Sequence, residues 1–173
     1  MNKQEILSKL KASFDEAINA TKSVGDTNFN VSKNNKWTAG ENMAHLGVSA
    51  KMTTMAYTLP KFVPALLYGK TKDGSRTYQQ VVDFYLGKLN DGAKANGVYV
   101  PAKTDYNKQR VIESLTKYRD KMVNAVDKGW NEEQLDTYRI AHPVLGKLTA
   151  RELLYFTIYH NGHHAKTIKW LYA

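Results

Sequence analysis

The feature that most constrains the fold of this chain is a set of three helix-start signals, each followed by apolar residues at three- and four-residue spacing. The signals are capping boxes, in which a Thr hydroxyl accepts from a backbone N–H and the Glu or Gln three residues later reaches back. They lie at Thr38–Glu41, Thr77–Gln80 and Thr149–Glu152. The spacing is typical of amphipathic helices, and strand signals are nearly absent. The sequence therefore predicts an all-α fold.

Five helices are predicted from these signals and from apolar periodicity, four of them longer and one shorter. Their ranges are 3–23, 38–57, 77–95 (the shorter one), 107–128 and 149–172, and residues 98–101 read as extended. Two connections, 58–76 and 129–148, are too long for tight turns and favour crossovers over simple up-down-up-down topology. We therefore expect one domain over residues 1–173, a four-helix bundle with long crossover connections plus one shorter helix.

Length and composition agree with one globular domain. The chain has 173 residues, of which 42% are hydrophobic, and no apolar stretch reaches the length of about 18 residues that a transmembrane helix needs. No apolar signal-peptide core follows the N-terminus, so a cytoplasmic location is expected. Because the chain has no cysteine, it has no disulfide and no thiolate ligand. Any metal site must therefore use His, Asp, Glu or water.

The formal net charge of +9 raises the alternative of a basic, helical nucleic-acid-binding protein. The lysines and arginines are nevertheless spread along the whole chain, and the densest run, Lys117–Lys121, includes Asp120. Solvated helix faces explain this distribution as well as a phosphate track does. We expect no more than weak, sequence-independent association with nucleic acid.

Three histidines form the pattern that says most about function. His160 and His164 lie four residues apart on the last predicted helix, so they share one face with Cβ atoms about 5–6 Å apart. That spacing lets two imidazoles reach one cation at about 2.0–2.1 Å. His45 lies on the predicted inward face of the second helix. We predict that His45, His160 and His164 bind one divalent metal ion; the alternative is that each is a hydrogen-bonded core residue.

The other two histidines are candidates for a supporting role. His142 precedes Pro143 in the connection that enters the last helix, where it could act as a hydrogen-bond donor or proton carrier beside the metal. The alternative for His142 is that it only anchors the connection by packing. His163 lies at the edge of the inward stripe, where it could hydrogen-bond to a ligand or substrate or simply be half exposed.

Two motifs resemble segments of the DinB-like superfamily. Residues 37–46 (WTAGENMAHL) are similar to the start of the second helix in that family. Residues 142–149 (HPVLGKLT) and 160–164 (HNGHH) resemble a DinB-like subfamily of unknown function. The resemblance implies a bundle with a crossover, in which one second-helix His and an H-x-x-x-H pair bind a metal ion, often nickel or zinc. On this chain those ligands are His45, His160 and His164.

Three imidazole ligands would leave a coordination position open, as a catalytic metal site requires. We therefore expect a metal-dependent enzyme with a small-molecule substrate. Characterised members of the family include thiol-dependent transferases and isomerases, so the resemblance implies transfer of a low-molecular-weight thiol to a small electrophile. The alternatives are metal-dependent hydrolysis of a small molecule and a non-enzymatic bundle that binds a ligand or partner. No membrane partner is expected, and a homodimer is an open alternative.

Overall fold

The structure, a computed structural model, describes residues 1–173. Four of its helices are long enough to span the molecule, and three shorter helices and a two-stranded hairpin lie in the connections. In chain order the elements are α1 (Lys3–Lys22), α2 (Ala39–Thr58), α3 (Phe62–Tyr68), α4 (Tyr78–Asn90), α5 (Lys108–Gly129), α6 (Glu132–Thr137), β1 (Arg139–His142), β2 (Gly146–Thr149) and α7 (Ala150–Tyr172). The five predicted helices are α1, α2, α4, α5 and α7, and all three predicted capping boxes are formed.

Helices α1, α2, α5 and α7 form the four-helix bundle, with α1 and α7 running in the same direction. The backbone carbonyl of Met1 accepts from Arg151 at the start of α7, and Ser13, halfway along α1, accepts from Asn161. Helix α5 is antiparallel to α1, because Lys3 at the start of α1 donates to the carbonyl of Asp127 near the end of α5.

Helix α2 is antiparallel to α7. Its first turns contact the last turns of α7 through Asn42 and His164, and Tyr57 near its end donates to the carbonyl of Ala150. Helices α2 and α5 therefore run in the same direction, and the bundle has an up-down-down-up topology. Residues 59–107, between these two parallel helices, must return along the bundle, so they form the crossover that the sequence predicts for this region.

The crossover contains more structure than its sequence indicates. Residues 58–76, predicted as a connection, include α3, which has only seven residues and carries Pro64 at its third position. Helix α4 ends at Asn90 rather than near residue 95, because Gly92 adopts a positive φ of 87°. The prediction of an extended segment was wrong at Val98 and Tyr99, which belong to a short 3₁₀ turn (Gly97–Tyr99).

The second long connection, between α5 and α7, contains α6 and an antiparallel hairpin that the sequence did not predict. Arg139 pairs with Thr149 and His142 with Gly146. The loop of three residues closes through Gly146, whose φ of 71° disfavours a side chain with a Cβ. Strands of four residues are too short to give a clear alternating pattern, which is why they escaped the sequence analysis. The protein is therefore all-α apart from this small sheet.

The hydrophobic core lies between the four bundle helices. Each contributes fully buried apolar side chains, among them Phe14, Met43, Leu115, Leu154 and Ile168. The core also includes Val81 and Tyr85 of α4, which packs against α7. None of the seven helices combines the length and the apolar character that a membrane-spanning helix needs.

Candidate metal centre

The candidate site lies where the beginning of α2 meets the C-terminal half of α7. The capping box of Thr38 and Glu41 fixes the first turn of α2, and His45 follows on its second turn. Because α2 and α7 are antiparallel, this turn lies opposite His160 and His164. All three histidines are buried, with exposed fractions of 8% or less. The helix geometry sets the pair on α7, and the packing of α2 brings the third histidine to it.

The three imidazoles converge through the same ring nitrogen. The Nε2 atom of His160 lies 3.0 Å from Nε2 of His45 and 3.2 Å from Nε2 of His164. One ligand atom from each residue lies within 4.8 Å of the other two. Two nitrogens that bind one tetrahedral cation at about 2.0–2.1 Å are themselves about 3.3 Å apart. The three histidines therefore form a cluster that could hold one metal ion.

In two of these rings, Nδ1 makes a hydrogen bond that leaves the Nε2 lone pair free for a cation. Asn42 donates through its amide nitrogen to the carbonyls of Trp37 and Thr38, so its Oδ1 must be the atom that faces His164. That oxygen accepts from Nδ1–H of His164 at 2.7 Å, and the carbonyl of Tyr99 accepts from Nδ1–H of His45 at 2.7 Å. A metal-binding histidine needs this arrangement, in which the second nitrogen donates to an oxygen and fixes the tautomer.

Burial keeps the cluster in the neutral form that metal binding requires. Desolvation lowers the pKa of His160 and His164 well below the usual value, and neighbouring histidines lower both further. Burial also lowers the pKa of His45, although the bond to the Tyr99 carbonyl opposes this shift. Protons therefore compete weakly with a cation at neutral pH.

The cluster forms part of the wall of a cavity of about 180 Å³ between α2, α4 and α7, here called the metal cavity. Trp37 stacks on His164 at 6.4 Å between ring centroids, and Phe156 stacks on His160 at 5.0 Å. Tyr85 contributes from α4, and burial raises the pKa of its hydroxyl to about 12. The cavity lining contains no Asp or Glu, and its one lysine is the exposed Lys94.

His142 lines the metal cavity without joining the cluster. Its Nδ1 accepts from the backbone N–H groups of Val144 and Leu145 at 3.2 and 3.1 Å, which fixes the hairpin loop. Its ring packs on Phe156 at 4.3 Å, and burial lowers its pKa to about 4. His142 therefore anchors the connection, as the alternative from the sequence proposed. No hydrogen bond joins it to the three clustered histidines.

His163 also lines the metal cavity, but it lies at the edge, as its place beside the inward stripe indicates. Its ring centroid is 5.4 Å from that of His164, and it stacks on Tyr159 at 6.3 Å. Burial, followed by the charge of Lys166, lowers its pKa. It makes no hydrogen bond to His45, His160 or His164, so a supporting role for His163 stays a prediction.

Several site residues escaped the sequence analysis. Asn42 could have been found, because it lies three residues before His45 and so on a neighbouring position of the same helix face. Trp37 is the first residue of the motif over residues 37–46, but nothing in that motif places its ring against His164. Tyr99 and Lys94 gave no signal, because they lie in the irregular part of the crossover and reach the site only through the tertiary fold.

Comparison with known proteins identifies the family. A family model described as the DinB superfamily matches residues 9–168, which is nearly the whole chain. The protein belongs to the DinB superfamily, as the motifs around His45 and His160 predict. Searches of curated proteins and of solved structures found no match.

Proposed function

We propose that this protein is an enzyme that binds one divalent metal ion, nickel or zinc, and transfers a low-molecular-weight thiol to a small electrophile. The observation that carries the proposal is the convergence of three buried Nε2 atoms on the wall of a cavity whose lining has no carboxylate and whose other two histidines, His142 and His163, lie outside the cluster. Structural zinc sites use four protein ligands, whereas catalytic sites keep one position for water or substrate. The cluster has the composition of the second kind.

The cation and the residues around it have separate tasks. A divalent cation bound to the three imidazoles would lower the pKa of a coordinated thiol and so supply a nucleophile at neutral pH. Asn42 and the Tyr99 carbonyl hold His164 and His45 in the required tautomer. Lys94 adds positive charge to the cavity lining, which suits an anionic thiol such as one that carries a carboxylate.

The transfer itself balances without a redox partner. The thiol loses its S–H proton to solvent, and its sulfur forms a bond to the electrophilic carbon. The bond between that carbon and the leaving group breaks, and the leaving group departs with the electron pair. Trp37, Phe156 and Tyr85 enclose the cavity with aromatic surface and limit the access of competing water.

The thiol reaction is favoured over hydrolysis by the lack of a carboxylate base and by the tautomer of His142. No carboxylate lines the metal cavity, and Nδ1 of His142 already accepts two backbone hydrogen bonds. The proton of the neutral His142 ring is therefore on Nε2, so Nε2–H is a hydrogen-bond donor and cannot act as a base. Metal-dependent hydrolases commonly use such a base to activate water, while a coordinated thiol is deprotonated by the metal.

The test is a titration of cobalt-loaded protein with glutathione, bacillithiol or a simple dithiol, followed by visible absorption. We expect a sulfur-to-metal charge-transfer band that saturates with the thiol. The His160→Ala, His164→Ala double variant should bind cobalt weakly and give no band, whereas His163→Ala should keep wild-type cobalt affinity. Absence of a band with every thiol would refute thiol transfer, and wild-type cobalt affinity in the double variant would refute the ligand assignment.

A further inference from the structure

Beside the metal cavity lies a second cavity of about 220 Å³ between α2, α3 and the β1–β2 hairpin. We propose that it binds the apolar arm of the electrophile, a short alkyl chain or a single aromatic ring, while the reacting end of the same molecule lies at the metal. This proposal rests on the proposed function and names the class of its substrate. The second cavity is called the arm cavity below, and its apolar lining includes Met52, Met55, Leu59, Val63, Leu67 and Leu153.

The two cavities share a wall. Thr53, Tyr99, His142 and Pro143 line both of them, so the arm cavity and the metal cavity adjoin at these four residues. The shared wall is built from α2, the crossover and the hairpin loop. A ligand that passes between these side chains would have one end in the metal cavity and the other in the arm cavity. The arm cavity is therefore assigned to one part of the substrate.

The chemistry of the arm cavity selects an uncharged, apolar group. None of its lining residues is Asp, Glu, Lys or Arg. A dry apolar cavity of about 150 Å³ is large enough to bind benzene, so the arm cavity has room for a ring or a short chain. Met52 and Met55 are 40% and 48% exposed, and methionine adapts its shape to different apolar ligands. A bound arm would cover these side chains.

His142 offers a polar contact between the two ends of such a substrate. Its Nδ1 accepts from the hairpin backbone, while its Nε2 makes no hydrogen bond within the protein and is not fully buried. The Nε2–H group is therefore left to donate to a ligand. A carbonyl or similar acceptor between the reacting carbon and the apolar arm would match this donor.

The arm cavity differs from the exposed apolar surface outside it. Phe62 and Leu66 on α3 are 71% and 83% exposed, but neither lines the cavity. A second copy of the chain that docked here would cover Phe62 and Leu66 as well as the cavity. A small-molecule arm would cover only the lining. Variants in the lining and variants at Phe62 or Leu66 therefore distinguish a substrate arm from a second copy of the chain.

The experiment measures binding of straight-chain hydroxamates, from acetohydroxamate to octanohydroxamate, to cobalt-loaded protein by its visible spectrum. The hydroxamate head binds metal without any thiol chemistry, so the chain alone reports on the arm cavity. We expect affinity to rise about two- to fourfold per methylene until the cavity is filled. Met55→Asp should weaken octanohydroxamate at least tenfold and leave acetohydroxamate unchanged, and Leu66→Asp should leave both unchanged.

The outcomes separate this proposal from the proposed function. Binding of acetohydroxamate with no dependence on chain length would overturn the arm cavity and leave the open metal site standing. Failure of every hydroxamate to bind would overturn the open metal site and the arm cavity with it. If Met55→Asp and Leu66→Asp dissociate a dimer and weaken octanohydroxamate equally, the surface binds a second copy, and the proposal is overturned.

Discussion

At the residue scale, Asn42 determines which nitrogen His164 presents to the cavity. Its amide is held by the Trp37 and Thr38 carbonyls, so only its Oδ1 can face the ring. We predict that Asn42→Ala lowers cobalt or zinc affinity about 10- to 100-fold, the range typical for loss of such a supporting hydrogen bond. Isothermal titration with the metal measures this.

The matched control is Asn161→Ala. Asn161 is as buried as Asn42, at 2% exposed, but its amide donates to Ser13 and makes no hydrogen bond to a histidine ring. This variant should lose stability and keep wild-type metal affinity. Equal losses of affinity in the two variants would mean that any disturbance of the bundle weakens the site, and the role assigned to Asn42 would be wrong.

His142 should make stability depend on pH in a defined window. Its folded pKa is about 4, whereas the unfolded value is about 6.5, so the unfolded chain takes up a proton first as the pH falls. The stabilisation is complete above about pH 6.5 and is lost progressively down to about pH 4, at up to about 1.4 kcal/mol per pH unit.

The measurement is urea unfolding of metal-free wild type and His142→Asn between pH 7 and pH 4. Asparagine can accept from the hairpin backbone but does not titrate in this range, and the other titrating groups are common to both proteins. The wild type should lose its free energy of unfolding more steeply than the variant. Parallel curves would show that His142 takes up its proton equally in the folded and unfolded states.

At the element scale, the N-terminus of α2 depends on a close approach that only glycine permits. A Cβ at Gly40 would lie 2.5 Å from Oδ1 of Asn30 and 3.0 Å from Cβ of Tyr106. Asn30 cannot easily move away, because its amide exchanges two hydrogen bonds with the backbone of Tyr106. These contacts tie the α1–α2 connection to the segment before α5 and position the turn that precedes His45.

We therefore predict that Gly40→Ala destabilises the protein by about 1–3 kcal/mol, the usual cost of overpacking. Gly87→Ala in α4 is the control, because a Cβ there meets nothing within 4 Å. In an exposed helix interior this exchange should stabilise by up to about 1 kcal/mol. Thermal unfolding of both variants tests the contrast, and a neutral or stabilising Gly40→Ala would show that the contact relaxes without cost.

At the scale of the whole molecule, the candidate site joins two helices that are far apart in the chain, with 115 positions between His45 and His160. A metal ion that binds His45 on α2 and His160 and His164 on α7 would bind the folded state only, since the unfolded chain does not hold these residues together. At a free metal concentration 100 times Kd, the expected stabilisation is about 2.7 kcal/mol. For a domain of this size that raises the Tm by about 5–10 °C.

Differential scanning calorimetry with and without zinc or nickel checks this prediction. His160→Ala should lose the metal-dependent rise, even if its metal-free Tm also changes, because each variant is compared with itself. His163→Ala is the control and should keep the rise, since His163 lies outside the cluster. A full rise in His160→Ala would show that the metal stabilises the fold from another site.

The sequence by itself determined the parts of this protein that depend on local geometry. Thr38, Thr77 and Thr149 mark helix starts because a capping box involves only four neighbouring residues. His160 and His164 share a face because helical periodicity fixes residues four apart. The motifs around His45 and His160 indicated the family, which the match over residues 9–168 confirms. The cytoplasmic location, the partners and a homodimer stay predictions.

Only the tertiary structure decided which distant groups complete the site. The Tyr99 carbonyl reaches His45 across 54 positions of sequence, and its place depends on how the crossover lies against α2. The β1–β2 hairpin has strands too short to show a period, yet its loop brings His142 to both cavities. Such placements follow from the packing of α2, α4 and α7 together. Local sequence does not encode them, because each contact depends on elements that are far apart in the chain.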